Sequence, residues 1–271
     1  MLISGTRGMY ERAGCVLGPM NLDYTVPAER AQRCECIGDI TVRETSDDDI
    51  GYLVAVHRSE PVRFVRTERD WKGFLSVCRL VHPSLEPPLG VKRSYIVSCN
   101  GSVVAHLVLQ YPHDRANGAV RITEFSGSRI AAFAAAQQLT GASGGREIHG
   151  SLLPEDRESK ALLNELGATV AYQPMGGHRV SIMHTGILNR YRVWLDEQLP
   201  SGIASTMGIR EAGGRYSLVA DDCEVDAGDL LSLNGILFGN GIDTLKAPPE
   251  VADLWRRVLP LPLALPGLNY I

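Results

Sequence analysis

The chain has 271 residues, of which 44% are hydrophobic and 21% are charged, and its formal net charge is −4. This length fits one large domain or two to three small ones, with enough apolar residues for an ordinary globular core. The negative charge and the lack of a basic cluster argue against a nucleic-acid partner. No apolar run reaches the roughly 20 residues that span a bilayer, so we expect no membrane partner either.

The six cysteines do not have the spacing of a disulfide framework or of a zinc site. Cys34 and Cys36 form an isolated Cys-x-Cys pair, which is a weak metal signal. Reduced, partly buried thiols are typical of cytoplasmic proteins. We therefore expect a cytoplasmic protein that binds no metal.

In chain order, the first element is a glycine-rich, charged opening, "SGTRGMYERAGC" at residues 4–15. Segments of this composition usually connect a strand to a helix. "MNLDYTVPAE" then alternates apolar and polar residues up to Pro27, which predicts a strand. Residues 28–38 have the composition of a linker.

A longer series of elements follows in residues 39–184. A strand at 39–44 precedes Ser46 and three aspartates, which indicate a helix N-terminus. Asn100-Gly101 predicts a hairpin between two strands, and the Ala-rich residues 128–139 predict a helix. The complete predicted order is β-α-α-β-β-β-α-β-α-β-β, which describes a mixed sheet with helices on its faces.

Residues 185–271 have a different pattern. An amphipathic helix at 187–199 is predicted to precede short strands at 202–209 and 216–221, and Asp221, Asp222 and Glu224 are predicted to form a solvated turn. Two further helices are predicted at 226–239 and 249–260. The tail from 259 holds three prolines among leucines, so it is expected to lie extended along apolar surface.

The element order of residues 39–184 resembles that of the GNAT acetyltransferase superfamily. The opening segment resembles the turn after the fifth GNAT strand, through the Tyr-x-Arg-x-Gly core of Tyr10, Arg12 and Gly14. Residues 40–71 are similar to the entry of a second, degenerate GNAT-like domain, and the C-terminal region is similar to a sterol-carrier-like domain. Together these parts resemble the enhanced-intracellular-survival (Eis) type of multi-acetylating GNAT protein.

The resemblance implies an α+β protein with three parts and an incomplete N-terminus. Residues 1–37 are predicted to be the C-terminal remnant of a first GNAT domain, 38–184 a second, degenerate GNAT-like domain with a mixed sheet flanked by helices, and 185–271 a smaller sterol-carrier-like α+β domain. The resemblance also implies acetyl-CoA as co-substrate, an amine as acceptor and a homo-oligomer. A remnant without the rest of its sheet would have unpaired edges, so residues 1–37 are expected to be poorly protected in hydrogen exchange.

Two catalytic residues are implied by the same resemblance. Tyr10 matches the family tyrosine that protonates the departing thiolate of CoA. The C-terminal carboxylate, carried by Ile271, matches the chain terminus that acts as a base in Eis-type proteins. Each residue also has a structural interpretation: Tyr10 as a packing residue on a short helix, and Ile271 as a terminus that merely lies on the surface.

The loop that binds the CoA pyrophosphate in GNAT proteins, Q/R-x-x-G-x-G/A between a strand and a helix, has no match in this sequence and is expected to precede residue 1. The equivalent turn, "EFSGSRIAAF", retains Gly127 but not the glycine pattern. Arg129 could meet an anion there, but an exposed arginine in the first turn of the helix is the favoured interpretation. His106 is predicted to be a hydrogen-bonded sheet histidine. Two functions stay open: part of an N-acetyltransferase that is inactive as this chain alone, or a non-catalytic scaffold or apolar-ligand-binding module.

Overall fold

The computed structural model describes residues 2–4, 8–31, 38–78, 91–112, 118–174 and 178–265. The chain divides into two compact units. Unit 1 comprises Met1–Asn21 and Gln173–Leu263, and unit 2 comprises Leu22–Tyr172 and Ala264–Ile271. Cys34, Cys36 and Ile271 lie outside the described residues.

The strands of the described ranges are, in chain order, β1 (Leu2–Ser4), β2 (Val16–Leu17), β3 (Met20–Pro27), β4 (Ile40–Glu44), β5 (Val91–Cys99), β6 (Ser102–Tyr111), β7 (Ala119–Gly127), β8 (Glu147–Leu152), β9 (Thr169–Pro174), β10 (His178–Val180), β11 (Gly208–Ala212), β12 (Arg215–Ala220) and β13 (Cys223–Gly228). The α-helices of the same ranges are α1 (Gly8–Arg12), α2 (Ala28–Ala31), α3 (Ile50–Arg58), α4 (Glu68–Cys78), α5 (Arg129–Ala142), α6 (Arg157–Glu165), α7 (Arg192–Gln198), α8 (Ile203–Thr206), α9 (Leu230–Phe238) and α10 (Pro249–Arg256). From β4 to β10 this order confirms the predicted series. None of these helices has the length and apolar character that crossing a membrane requires.

Unit 2 is built on a seven-stranded mixed sheet with the order β4-β5-β6-β7-β8-β3-β9. β7 and β8 are parallel, whereas β4–β5, β5–β6, β6–β7 and β3–β8 are antiparallel. The parallel ladder begins with Ala119 opposite Glu147 and ends with Ile122 opposite Gly150. Because β7 continues to Gly127, the strand extends beyond this ladder and borders the candidate site.

Local sequence signals account for two features of this unit. At the hairpin between β5 and β6, Asn100 has φ 50° and Gly101 has φ 79°, the left-handed pair that a two-residue type I′ turn requires. At the start of α3, the carboxylate of Asp49 accepts hydrogen bonds from the backbone N–H and the hydroxyl of Ser46 (2.8 and 2.9 Å). Hydrogen bonds from Arg43 lower the pKa of Asp49 to about 2 against the opposing effect of burial.

The sheet carries an apolar core on each face. Leu107 and Leu109 on β6 lie in the core beneath the Ala-rich face of α5, which buries Phe133. Ile96 on β5 and Val108 on β6 belong to a second core, together with α3 and α4 residues such as Trp71. Neighbouring residues of a strand point to opposite faces of the sheet. Apolar residues at consecutive positions of β5 and β6 are therefore buried on both faces.

Unit 1 contains two three-stranded antiparallel sheets, β1-β10-β2 and β11-β12-β13. Asn234 on α9 is fully buried and hydrogen-bonded on both sides of its amide. Its oxygen accepts the N–H of Ile182 (3.0 Å), and its nitrogen donates to the carbonyl of Gly14 (2.8 Å) and the hydroxyl of Ser181 (3.0 Å). One side chain therefore satisfies the backbone of two distant segments in this unit.

The expectation of unpaired edges in residues 1–37 is wrong for β3, which lies between β8 and β9. It is wrong in part for β1 and β2, which are paired on one side and are the outer strands of the described three-stranded sheet. β10 pairs with both β1 and β2. β3 pairs with β8 from Leu22 opposite Leu152 to Pro27 opposite Glu147. Partners far along the chain supply the backbone hydrogen bonds, so we now expect protection of these strands. The domain boundaries at 37 and 184, and the sterol-carrier-like nature of residues 185–271, stay predictions.

Three predictions within residues 185–271 are also wrong. Instead of one strand over 202–209, Ile203–Thr206 forms α8 and the strand begins at Gly208; the hydroxyls of Ser205 and Thr206 donate to carbonyls three residues earlier (2.6 and 2.9 Å). The helix predicted at 226–239 begins only at Leu230, after β13. Glu224, predicted in a solvated turn, lies in β13 and pairs with Arg210 across the sheet.

Candidate functional site

The turn between β7 and α5, residues 127–129, is the position at which the family resemblance would place a pyrophosphate. Gly127 has φ +87°, and a Cβ atom there would lie 2.3 Å from the carbonyl oxygen of Val104. Both the backbone conformation and this close approach require glycine. Ser128 caps α5, because its side chain accepts the N–H of Ala131 (3.3 Å).

The carboxylate of Glu60 binds directly to this turn. The N–H of Gly127 donates to Glu60 Oε1 (2.7 Å), and Arg129 donates to Oε1 and Oε2 (2.6 and 2.7 Å). The side chain of Glu60 is only 12% exposed. Charge-assisted bonds of this bidentate geometry are among the strongest in proteins, so the turn already binds an anion supplied by the chain.

Arg129 is the centre of a small charge network. Besides Glu60 it binds Asp156 (3.2 Å), and its side chain is 16% exposed. Asp156 in turn caps α6 by accepting the N–H of Ser159 (2.9 Å). Burial alone would lower the pKa of Arg129, but hydrogen bonds and charge attraction from Glu60 and Asp156 raise it above its usual value. The prediction of an exposed arginine is therefore wrong.

A cavity of about 100 Å³ adjoins the network in unit 2. It lies where β7 extends beyond its parallel ladder with β8. Residues that line it come from α3, the segment after α3, β7, β8 and the C-terminal tail, and include His57, Arg66, Glu124, Phe125, Leu152 and Leu265.

Glu124 on β7 is a carboxylate in the wall of this cavity, and it is paired with Arg66. Arg66 donates to both of its oxygens, with 2.8 Å between Nη2 and Oε2. The side chains are 2% and 12% exposed. The Arg66 guanidinium also stacks 4.7 Å from the ring centroid of Trp71 and 5.0 Å from that of Phe74. Because both oxygens accept hydrogen bonds from a fixed cation, Glu124 is poorly placed to take a proton from an amine.

Burial lowers the pKa of two histidines in unit 2, of which His57 lines the cavity. Burial lowers the pKa of His57, whose Nε2 lies 2.9 Å from the carbonyl oxygen of Phe64. Burial also lowers the pKa of His106 to about 4. Its Nε2 lies 2.9 Å from the hydroxyl of Ser94, which confirms a hydrogen-bonded sheet histidine, although its Nδ1 has no partner within the described ranges.

Neither of the two catalytic residues predicted from the sequence is among the described residues that line this cavity. Tyr10 is in α1 of unit 1 and is half-buried. Its carbonyl accepts the N–H groups of Ala13 (3.2 Å) and Cys15 (2.8 Å). Ile271 lies outside the described residues, so the described structure does not bring the predicted acid and base together. Their roles stay predictions.

Sequence reasoning missed Glu60, Arg66, Glu124 and Asp156. One signal was present: acids and arginines alternate between Glu60 and Asp70, a segment with more charge than a simple surface loop requires. In the described ranges, no cluster of three or more histidine, cysteine or acidic side chains is arranged to hold a metal ion.

The 127–129 turn does not fit the diphosphate of CoA as it stands. A diphosphate there would need the Gly127 N–H and the Arg129 guanidinium as donors. Both donors bind Glu60, and Asp156 adds a second negative charge beside Arg129. Two anions at one set of donors repel each other and compete for the same space.

No protein-family model matches the chain, and no curated protein matches it. Solved structures do. A GCN5-related N-acetyltransferase from Anabaena variabilis aligns with 94% of this chain and 69% of its own, at 13% identity and a TM-score of 0.58. Eis1 from Mycobacterium abscessus aligns with 86% of this chain and 61% of its own, at 13% identity and a TM-score of 0.51. A conserved protein of unknown function from Enterococcus faecalis aligns with 84% of this chain and 55% of its own, at 12% identity and a TM-score of 0.50.

These similarities define the fold. The chain has a GNAT-like α+β fold, with a large mixed sheet flanked by helices. It spans 55–69% of the length of these three proteins.

Proposed function

We propose that unit 2 of this chain is the non-catalytic, GNAT-like part of an N-acetyltransferase. Acetyl-CoA is then the co-substrate of a separate GNAT domain in that enzyme, and the acceptor is an amine. The observation that carries the proposal is the Glu60 carboxylate on the Gly127 N–H and on Arg129. An Eis-type organisation with a sterol-carrier-like C-terminal part, a homo-oligomeric state and a cytoplasmic location belong to the same proposal.

The chemistry of acetyl transfer supports a non-catalytic role for unit 2. Transfer to an amine needs donors for the diphosphate, a base for the amine proton and an acid for the departing thiolate. In unit 2 the donors bind Glu60, and Glu124 is bound on both oxygens by Arg66. His57 and His106 are buried beneath hydrogen-bonding partners. Unit 2 thus has a GNAT-like fold in which these polar side chains are hydrogen-bonded to other groups of the chain.

The first prediction concerns acetyl-CoA binding. Isothermal titration calorimetry of this chain with acetyl-CoA should detect no micromolar affinity, because the 127–129 turn offers no free donors for the diphosphate. Desulfo-CoA, which has the same diphosphate, serves as a matched ligand and should also fail to bind. Micromolar affinity that is lost in an Arg129→Ala variant would contradict the proposal and would assign the turn as a CoA site.

A second prediction tests the roles that the resemblance implies for Tyr10 and Ile271. In an N-acetyltransferase that contains this chain, Tyr10→Phe should lower kcat at least about 100-fold with little change in KM, because a general acid acts only in the transition state. Extending the chain by a few residues after Ile271 moves the carboxylate and should have a comparable effect. If both changes left kcat within a few-fold of wild type, Tyr10 and Ile271 would be packing residues only.

A further inference from the structure

We propose that Glu60 is an internal substitute for a phosphate group, and that the 127–129 turn is a diphosphate-binding site which the chain's own carboxylate keeps closed. The inference rests on the proposed function, in which this turn holds no CoA. It also gives the reason why the turn holds no CoA: the side chain of Glu60, rather than the backbone of the turn, excludes the diphosphate.

The geometry of the turn is that of an anion site. The Gly127 N–H donates to Glu60 Oε1, and Arg129 directs two N–H groups to the same carboxylate at 2.6 and 2.7 Å. The turn opens the 14-residue helix α5, whose dipole favours negative charge at this end. A backbone N–H, a bidentate arginine and a helix N-terminus are the donors that phosphate oxygens use.

The backbone around Glu60 is held by bonds that do not involve its carboxylate. The Glu60 N–H donates to the carbonyl of His57 (3.2 Å), and Arg63 donates to the carbonyl of Glu60 (2.5 Å). The turn itself is fixed by the bond from the Ser128 N–H to the Val104 carbonyl (2.9 Å). Removing the carboxylate should therefore leave both segments in place and expose the donors of the turn.

Asp156 sets how strongly the opened site can bind. With Glu60 neutralised, Arg129 still pairs with Asp156 at 3.2 Å, so the local charge is zero and an incoming anion meets one carboxylate. An asparagine at 156 keeps a side-chain oxygen for the Ser159 N–H and removes that charge. Loss of one like charge a few ångströms from a bound anion should strengthen binding by about tenfold or more.

The experiment is a calorimetric titration with inorganic pyrophosphate at constant ionic strength. Wild type should not bind, Glu60→Ser should bind in the millimolar range, and Glu60→Ser/Asp156→Asn should bind about tenfold more tightly. Glu60→Ser/Arg129→Ala should not bind. Glu224→Ser is the matched control, because Glu224 is an exposed carboxylate paired with Arg210 in another sheet, and it should behave as wild type.

Thermal melting keeps the test valid if Glu60→Ser is only partly folded, since an anion that binds the native state raises its melting temperature. Pyrophosphate should raise the melting temperature of Glu60→Ser and of the Asp156→Asn double variant, but not that of the Arg129→Ala double variant. Absence of both calorimetric and thermal responses in the first two variants would overturn the inference and leave the proposed function standing. Tight acetyl-CoA binding by wild type would instead overturn the proposed function.

Discussion

An Arg66→Met variant is expected to lose about 3–5 kcal/mol of the free energy of unfolding, the usual cost of leaving one member of a buried ion pair alone. The Arg66 side chain is 2% exposed and that of Glu124 is 12% exposed, so water cannot replace the lost hydrogen bonds to the carboxylate. The guanidinium also leaves its stacked position between Trp71 and Phe74. Urea denaturation monitored by circular dichroism measures the change as a lower midpoint.

Two matched variants separate the pair from the packing. In Arg66→Met/Glu124→Leu no charge is buried alone, so we expect most of the lost stability to return. In Arg93→Met the partner is Glu44, both side chains are more than half exposed (54% and 57%), and the loss should stay within about 1 kcal/mol. The interpretation would be wrong if Arg66→Met were no more destabilising than Arg93→Met.

The element order of unit 2 could be predicted because its signals are local. The Asn100-Gly101 turn, the Ser46 helix start and the Ala-rich face of α5 depend on residues within one or two turns of chain. Each of these signals agrees with the packing that the fold later imposes. Local preference and tertiary structure therefore point to the same elements.

The partners of the site residues could not be predicted for the opposite reason. Glu60 and Arg129 are 69 residues apart, and Arg66 and Glu124 are 58 apart. From its place in the first turn of a helix, Arg129 is predicted to be exposed. In the structure, Glu60 after α3 and Asp156 at the start of α6 both pair with it. The position of β3 between β8 and β9 could not be predicted either. The alternation of apolar and polar residues in a strand predicts which side chains point to which face of the sheet, but it does not predict which strands lie next to it.

Two ion pairs satisfy the polar groups at the 127–129 turn and on β7 from within the chain. Glu60 satisfies the donors at the N-terminus of α5, and Arg66 satisfies the carboxylate on β7. Without these pairs, each of the polar groups would lie at the edge of the cavity without a hydrogen bond. Leaving such a buried group unsatisfied costs about 1–3 kcal/mol.

The second large effect is expected on acidification between pH 6.5 and 4. Burial lowers the pKa of His106 to about 4, whereas a histidine in the unfolded chain titrates near 6.5. In this window the unfolded state binds a proton that the native state does not, so stability falls as the pH falls. The full shift corresponds to about 3 kcal/mol lost by pH 4. His57, whose pKa is also lowered by burial, acts in the same direction.

A variant at His106 tests this origin. His106→Gln keeps an amide to face Ser94 and has no proton to gain, so the fall in the free energy of unfolding from pH 7 to 4 should shrink by about 3 kcal/mol. Asp49, with a pKa of about 2, loses its contribution only below its unfolded pKa near 4 and so falls outside the window. Parallel pH profiles for wild type and His106→Gln would show that the buried imidazole does not control the acid sensitivity, and that groups elsewhere in the chain do.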